Sequence, residues 1–221
     1  MVAILPICAR GEWVKVKEAK EVQVFEQKSD SSHLMVFRGE GLVRAPIARV
    51  ASVIFDSERA KEWVDDLAET RIVKWYNETD YLEYDHMLAP IFVSDRDFLT
   101  RVNMQFDAEK SQLVFQMSNP EPADIPEELR KSKWVRGDLN GTKYTLTSVD
   151  DGKATFVVGE VHGDPKGALP IWLVNMFQRN WPIETLVHLR RQVAKNDVKD
   201  SPKMTELLRT KLKLPSQQIA E

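Results

Sequence analysis

The amino-acid sequence predicts an α+β fold: a long, curved antiparallel sheet wrapped around one C-terminal helix, with an internal apolar cavity between them. Three observations predict it. Period-two apolar patterning recurs through residues 13–162, punctuated by hairpin signals such as Asn140-Gly141 and Asp151-Gly152. Only short helical stretches interrupt that run. One long helical pattern, Leu169 to Ala194, then closes the domain. Runs of strands followed by helices argue for a sheet packed on helices, and the concave, mostly apolar space this leaves is where small ligands bind.

Taken in order, Trp13 to Gln27 reads as a strand pair or one bent strand, and Leu34 to Arg44 continues the β pattern. Pro46 suits the first turn of a helix over Ile47–Phe55. Ser57 is a good N-cap for a second helix, Glu58–Leu67. Strands are expected at about Arg71–Tyr76, Tyr81–Leu88, Arg96–Phe106 and Gln112–Ser118, then at Trp134–Gly137, Lys143–Val149 and Ala154–His162. Asn119–Pro126, with three prolines, is a loop. In the long helix, Leu169, Trp172, Leu173, Met176, Asn180, Ile183 and Val187 share one face at ~100° per residue, and Pro182 should kink it. Ser201-Pro202 starts a short amphipathic helix, Lys203–Leu212. One domain is expected over residues 13–195, preceded by an N-terminal segment (1–12, a candidate leader remnant) and followed by a short helix and tail (196–221).

Composition narrows the function. Of 221 residues, 43% are hydrophobic and 29% charged, ordinary for a soluble globular protein. A net charge of −3 argues against a phosphate-neutralising surface, so no nucleic-acid partner is expected. A single cysteine, Cys8, rules out a disulfide framework or a cysteine zinc site within one chain. Met1 to Ala9 is apolar but lacks a basic start, and a whole signal peptide needs roughly 15–30 residues. The expected compartment is cytoplasmic, or periplasmic or exported if that segment is a trimmed leader. No cofactor or metal is implied, and a monomer is expected.

The most informative stretch is Ser94-Asp95-Arg96-Asp97-Phe98. Alternation places Arg96, Phe98, Thr100, Val102, Met104 and Phe106 on one face, the inward one. An arginine aimed at an apolar interior is costly unless paired or wet. Either a carboxylate bridges it (Asp85, Glu83 and Glu160 are the candidates) or the interior holds water or ligand. Lining positions follow from the same alternation: Phe98, Val102 and Met104; Phe115 and Met117 beside Leu113; Phe156 and Val158, sharing a face with Glu160. Trp172, Met176 and Ile183 form the helix side, with Asn180 as a second polar contact. The loop Gly163-Asp164-Pro165-Lys166-Gly167 is expected to hinge as a gate.

These segments resemble the START domain, the steroidogenic-acute-regulatory-protein-related lipid transfer family with a helix-grip fold. Ala45-Pro46 to Phe55-Asp56 with Trp63, Tyr81 to Asp97 with Pro90 and Arg96-Asp97-Phe98, and Asp164-Pro165-Lys166-Gly167 through Leu169-Pro170-Ile171-Trp172-Leu173-Val174-Asn175 carry the likeness. Ala89-Pro90-Ile91-Phe92 stands where the family usually has proline-tryptophan-proline. The compact chain looks more like the stand-alone bacterial members. The resemblance implies binding, and transfer, of a lipid or other hydrophobic small molecule, with transient membrane contact. Lys203, Arg209, Lys211 and Lys213 on the last amphipathic stretch read first as a solvated helical face; the other reading is a protein-interaction or membrane-touching module in which they meet anionic lipid. The alternative is a cyclase-, aromatase- or hydrolase-like enzyme on the same fold. No HExxH, GxSxG or glycine-rich phosphate loop is present, and His33, His86, His162 and His188 are scattered. An acid/base pair would have to come from His86 with Asp85 or Tyr84.

Overall fold

Ten strands of the computed structural model join in one sheet: β1 (Val14–Ala19), β2 (Val22–Lys28), β3 (Met35–Val43), β4 (Leu67–Asn77), β5 (Asp80–Met87), β6 (Arg96–Asp107), β7 (Gln112–Ser118), β8 (Val135–Arg136), β9 (Lys143–Val149) and β10 (Ala154–Val161). Their order is β1-β2-β3-β10-β9-β7-β6-β5-β4, all antiparallel, with β8 added parallel beside β6. The helices are α1 (Ile47–Phe55), α2 (Glu127–Arg130), α3 (Ile171–Val193) and α4 (Pro202–Lys211). Residues 12–29, 34–90 and 92–214 are described, without the side chains of Leu173, Met176 and Phe177. The candidate leader segment up to Gly11, His33 and the lining role expected of Met176 fall outside the described residues.

Two long-range pairings make the sheet continuous. β10 lies between β3 and β9, in register from Thr155↔Val43 to Val161↔Phe37. β7 joins β9 to the β4–β6 meander. One face of this sheet holds α3. The contact is close because β3 carries glycine at successive inward positions, Gly39 and Gly41, and Gly39 pairs with Gly159 of β10. A Cβ on Gly39 would stand 2.2 Å from Pro182 Cβ, and one on Gly41 would stand 2.8 Å from Arg190 Nη2. The sequence thus clears a track in which Pro182, Ile183, Leu186 and Leu189 lie against β-strand backbone. α3 runs through Pro182. The space left between its C-terminal half and Gly39, Tyr144 and Val157 is 10 Å3, no larger than one water.

The main core gathers Val22, Phe37, Val102, Phe115, Leu146, Leu186 and Leu189 with α1 and with Met204, Leu207 and Leu208 of α4. α4 is therefore part of the same core as the sheet. A smaller cluster on the outer face, Leu82, Tyr84, Leu99 and Leu129, is covered by the segment around Ile125 and α2.

The second helix expected over 58–67 reduces to a 3-10 turn, Ala60–Glu62. Asp56, not Ser57, serves its start, accepting from the Glu58 and Arg59 amides at 3.1 and 3.2 Å. Asp66 takes φ 59°, turning the chain into β4 at Leu67. Trp63 is buried while its neighbours Lys61 and Glu62 are exposed, too little apolar face to sustain a longer helix.

Candidate ligand cavity

Arg96 is inward and 7% exposed, but none of the three expected carboxylates bridges it. Its guanidinium donates to backbone carbonyls: Nε to Pro165 at 3.2 Å, Nη2 to Lys166 at 3.2 Å, and Nη1 to Ser94. It is a clasp on the Gly163–Gly167 loop. That loop is also tied to Asp138 by paired backbone hydrogen bonds of 2.8 Å and turns at Gly167, φ 75°. The next residue, Asp97, is 1% exposed and points outward. It accepts two bonds from Arg136, 2.9 and 2.8 Å, in the fork geometry that makes such pairs strong. Arg136 also donates to the Leu129 carbonyl at 3.0 Å. Arg96-Asp97 therefore staples both faces of β6: the loop before α3 on the inside, and β8 with α2 on the outside. The Asp97–Arg136 half was not foreseen, since residue 136 is far from 97 in sequence.

Glu83 and Asp85 do face inward, across from Thr100 and Phe98. Both retain some accessible surface, yet protein surrounds them. Burial raises the Glu83 carboxyl well above its ordinary range, and the Asp85 charge raises it further. Burial alone pushes Asp85 up to about 6. The Thr70 hydroxyl donates to this pair and opposes both shifts. Tyr81 and Tyr144 share the same inner face, and burial, then the two acids, raises both phenols. Both acids lie on the face of β5 that carries Tyr81 into the main core.

The apolar candidates divide. Val102, Met104, Phe115 and Ile183 are core, at most 5% exposed. Met117 is part-buried against that core. The Phe98 ring lies over Gly137, where a Cβ would stand 2.2 Å from it. Phe156, Val158 and Glu160 occupy the outer face, because Val157 and Gly159 are the β10 residues that meet α3. Glu160 pairs there with Lys143 at 3.2 Å. Trp172 is 67% exposed rather than lining the interior. Asn180 is exposed too and accepts from Lys17 Nζ at 2.7 Å. Helical periodicity put these two on the inward stripe; the Pro182–Gly39 contact instead turns Pro182, Ile183, Leu186 and Leu189 inward.

His86 faces outward, opposite to Asp85. Its Nε2 lies 2.8 Å from Asp95 and its ring stacks on Trp134 at 4.7 Å. Tyr84 is in the outer cluster. The acid/base pair that the enzyme alternative required does not assemble. No group of three or more metal-ligating side chains occurs among the described residues, and no helix there is long and apolar enough to cross a membrane. Of the basic residues on α4, Lys203 sits 3.4 Å over the Trp75 ring, Arg209 pairs with Glu206 and Lys211 with Glu78.

An antiparallel sheet gripping a long C-terminal helix defines a helix-grip domain. The family model described as START domain matches residues 7–199, and the chain belongs to that family, whose domains bind lipids or other hydrophobic ligands. An uncharacterized protein of Pseudomonas aeruginosa is 26% identical over 187 residues, 83% of this chain and 88% of that one. Among solved structures, a STAR-related lipid transfer protein of Xanthomonas axonopodis is 28% identical, with 83% of this chain and 99% of that chain covered and a TM-score of 0.69. Human StAR-related lipid transfer protein 5 is 21% identical, with 84% and 87% covered and a TM-score of 0.73, a likeness of fold.

Proposed function

We propose that this protein binds a lipid or other hydrophobic small molecule between the inner face of the sheet and α3, and exchanges it with a membrane. The observation that carries the exchange is an apolar rim. Leu88, Phe92, Ile171 and Trp172 are all exposed, in a domain whose other large apolar residues are mostly buried. Asp95 and Arg96 tie together the segments that carry them. Asp95 accepts from the Ala89 amide at 3.0 Å, and Arg96 ties this β5–β6 loop to residues 165–166, just before α3. Exposed apolar side chains on connected segments mark a surface that meets protein or membrane. The cationic side chains of α4 are mostly engaged within the domain, so the rim is the better docking surface.

The test is native mass spectrometry of the purified protein, followed by titration with fluorescent fatty-acid, sterol and acylamine analogues. The expected result is a co-purified lipid or saturable one-to-one binding. No saturable binding across the panel rejects the carrier reading.

A further inference from the structure

The outer face of the sheet, turned away from α3, carries a notch of about 250 Å3, against 10 Å3 for the space under Pro182. Its shape follows from the path of the chain. The β1–β2 hairpin turns at Lys20 and Glu21, φ 52° and 56°, so β2 begins only at Val22. β3 runs on past that turn, with Leu42 paired to Phe156 of β10. These two half-buried side chains are the apolar floor of the notch. Its wall is the end of the hairpin, where Glu18, Gln23 and Glu40 stand side by side across β1, β2 and β3, with Glu21 at the turn. Three carboxylates and no cationic side chain line it. Glu18 pairs with Lys15, both exposed, a kind of pair worth little. Glu40 pairs with Arg38, which lies over Trp13 and Phe25. Glu21 makes no ion pair among the described residues. Arg190, which feels its charge, gives its donors to the Leu42, Lys20 and Glu21 carbonyls. Beyond the notch the row continues as Val158, Thr145 and Val114, all half-buried on the same face.

We propose that this face docks a partner protein, with an arginine or lysine side chain of the partner seated in the notch. The aliphatic stem lies on Leu42 and Phe156, and the charged head reaches Glu18 and Glu21. The notch is smaller than the ~300–1,000 Å3 of small-molecule sites and holds one long side chain. Anchors of this kind, arginine prominent among them, concentrate the affinity of protein interfaces. Opposite charge also speeds the encounter and rejects acidic partners. The apolar row through Val158 and Val114 is what a protein covers and a free amine leaves in water. Notch and α3 lie on opposite faces of the sheet, so a partner here and a lipid under α3 do not compete, and the inference stands apart from the lipid-binding reading.

The experiment selects phage-displayed random decapeptides on the full chain and titrates the best of them, resynthesised with a fluorophore, by anisotropy. Peptides with arginine or lysine beside apolar residues should be enriched. The double variant Glu18→Gln, Glu21→Gln should weaken the best peptide by about tenfold or more. Both positions are exposed, so the fold should tolerate the change. A second variant, Lys20→Asn with Glu21→Gly, gives the hairpin the residues that two positive φ values favour, so it should melt no lower than wild type and still weaken the peptide by severalfold. Selection of peptides without basic residues overturns the inference, as does binding that survives both variants. Spermidine or arginine amide binding as tightly as the peptide overturns it in favour of a small-amine site. Dimerisation of the free chain that the double variant abolishes overturns it in favour of a second copy.

Discussion

Two charged residues on the inner face, the buried Arg96 and the half-buried Asp85, meet the cost of burial in different ways. Arg96 donates to three backbone carbonyls. Asp85 and its neighbour Glu83 shift toward the neutral form. The second solution has a thermodynamic signature. The Asp85 carboxyl is pushed from 3.8 up to about 6 by burial, so between those values the folded protein holds a proton that the unfolded chain has released. Its stabilising contribution is complete below about pH 4 and lost as pH rises through about 6. The groups facing it are Glu83, Thr70 and the phenols of Tyr81 and Tyr144. Between about pH 4 and pH 7.5, the ligand-free wild type should therefore lose on the order of 2–3 kcal/mol more than Asp85→Asn. Urea unfolding of both proteins at the two pH values measures this; parallel losses would show that Asp85 is solvated. Alternation alone put Arg96, Glu83 and Asp85 inward, and the structure agrees. It could not name Arg96's partners, because backbone carbonyls of a distant loop leave no side-chain signature in sequence.

At the level of elements, most strand and helix boundaries were legible, and the errors share a cause. β10 alternates Phe156 and Val158 with Val157 and Val161, so either phase looks apolar. What chooses between them is Gly159, whose missing side chain faces α3 opposite Gly39. Inward glycines were the available signal, since Gly39 and Gly41 fall two apart in β3 and in phase with Phe37 and Val43. The same contact explains the misplaced helix face, for it brings Pro182 rather than Asn180 to the sheet. A sharp contrast follows. Gly39→Ala places a methyl 2.2 Å from Pro182 Cβ, which neither backbone can yield cheaply, and should destabilise by about 2–3 kcal/mol. Gly159→Ala meets only the Tyr144 ring at 3.4 Å, ordinary contact, and should stay within about 1 kcal/mol of wild type. Thermal or urea denaturation of the pair checks both; equal losses would mean that α3 does not seat on Gly39.

Across the whole molecule, the grip is uneven along α3. Its C-terminal half is sealed by Ile183, Leu186, Leu189 and Val193, buried in the main core. Toward the N-terminus the ties include single polar bonds: Gln178 Nε2 to the Gly163 carbonyl at 2.5 Å, the Met35 amide to Asn175 at 3.2 Å, and Lys17 to Asn180. Such bonds are exchanged with water at small net cost, whereas exposing the buried aliphatic half is expensive. If the domain exchanges a lipid as proposed, the opening belongs at the N-terminal end of α3, the end that carries the exposed Ile171 and Trp172. Binding and transfer then depend on different residues. Replacing Phe92 and Trp172 together by Ser removes apolar area that is already in solvent, so folding and equilibrium affinity for a fluorescent lipid should change by no more than about threefold. The same change removes the side chains that would enter a bilayer surface, and the rate of lipid movement between donor and acceptor vesicles should fall by about tenfold or more. Stopped-flow transfer measured alongside equilibrium titration separates the two quantities. An unchanged transfer rate would place membrane docking elsewhere on the domain, and a parallel loss of affinity would make the rim part of the binding site itself.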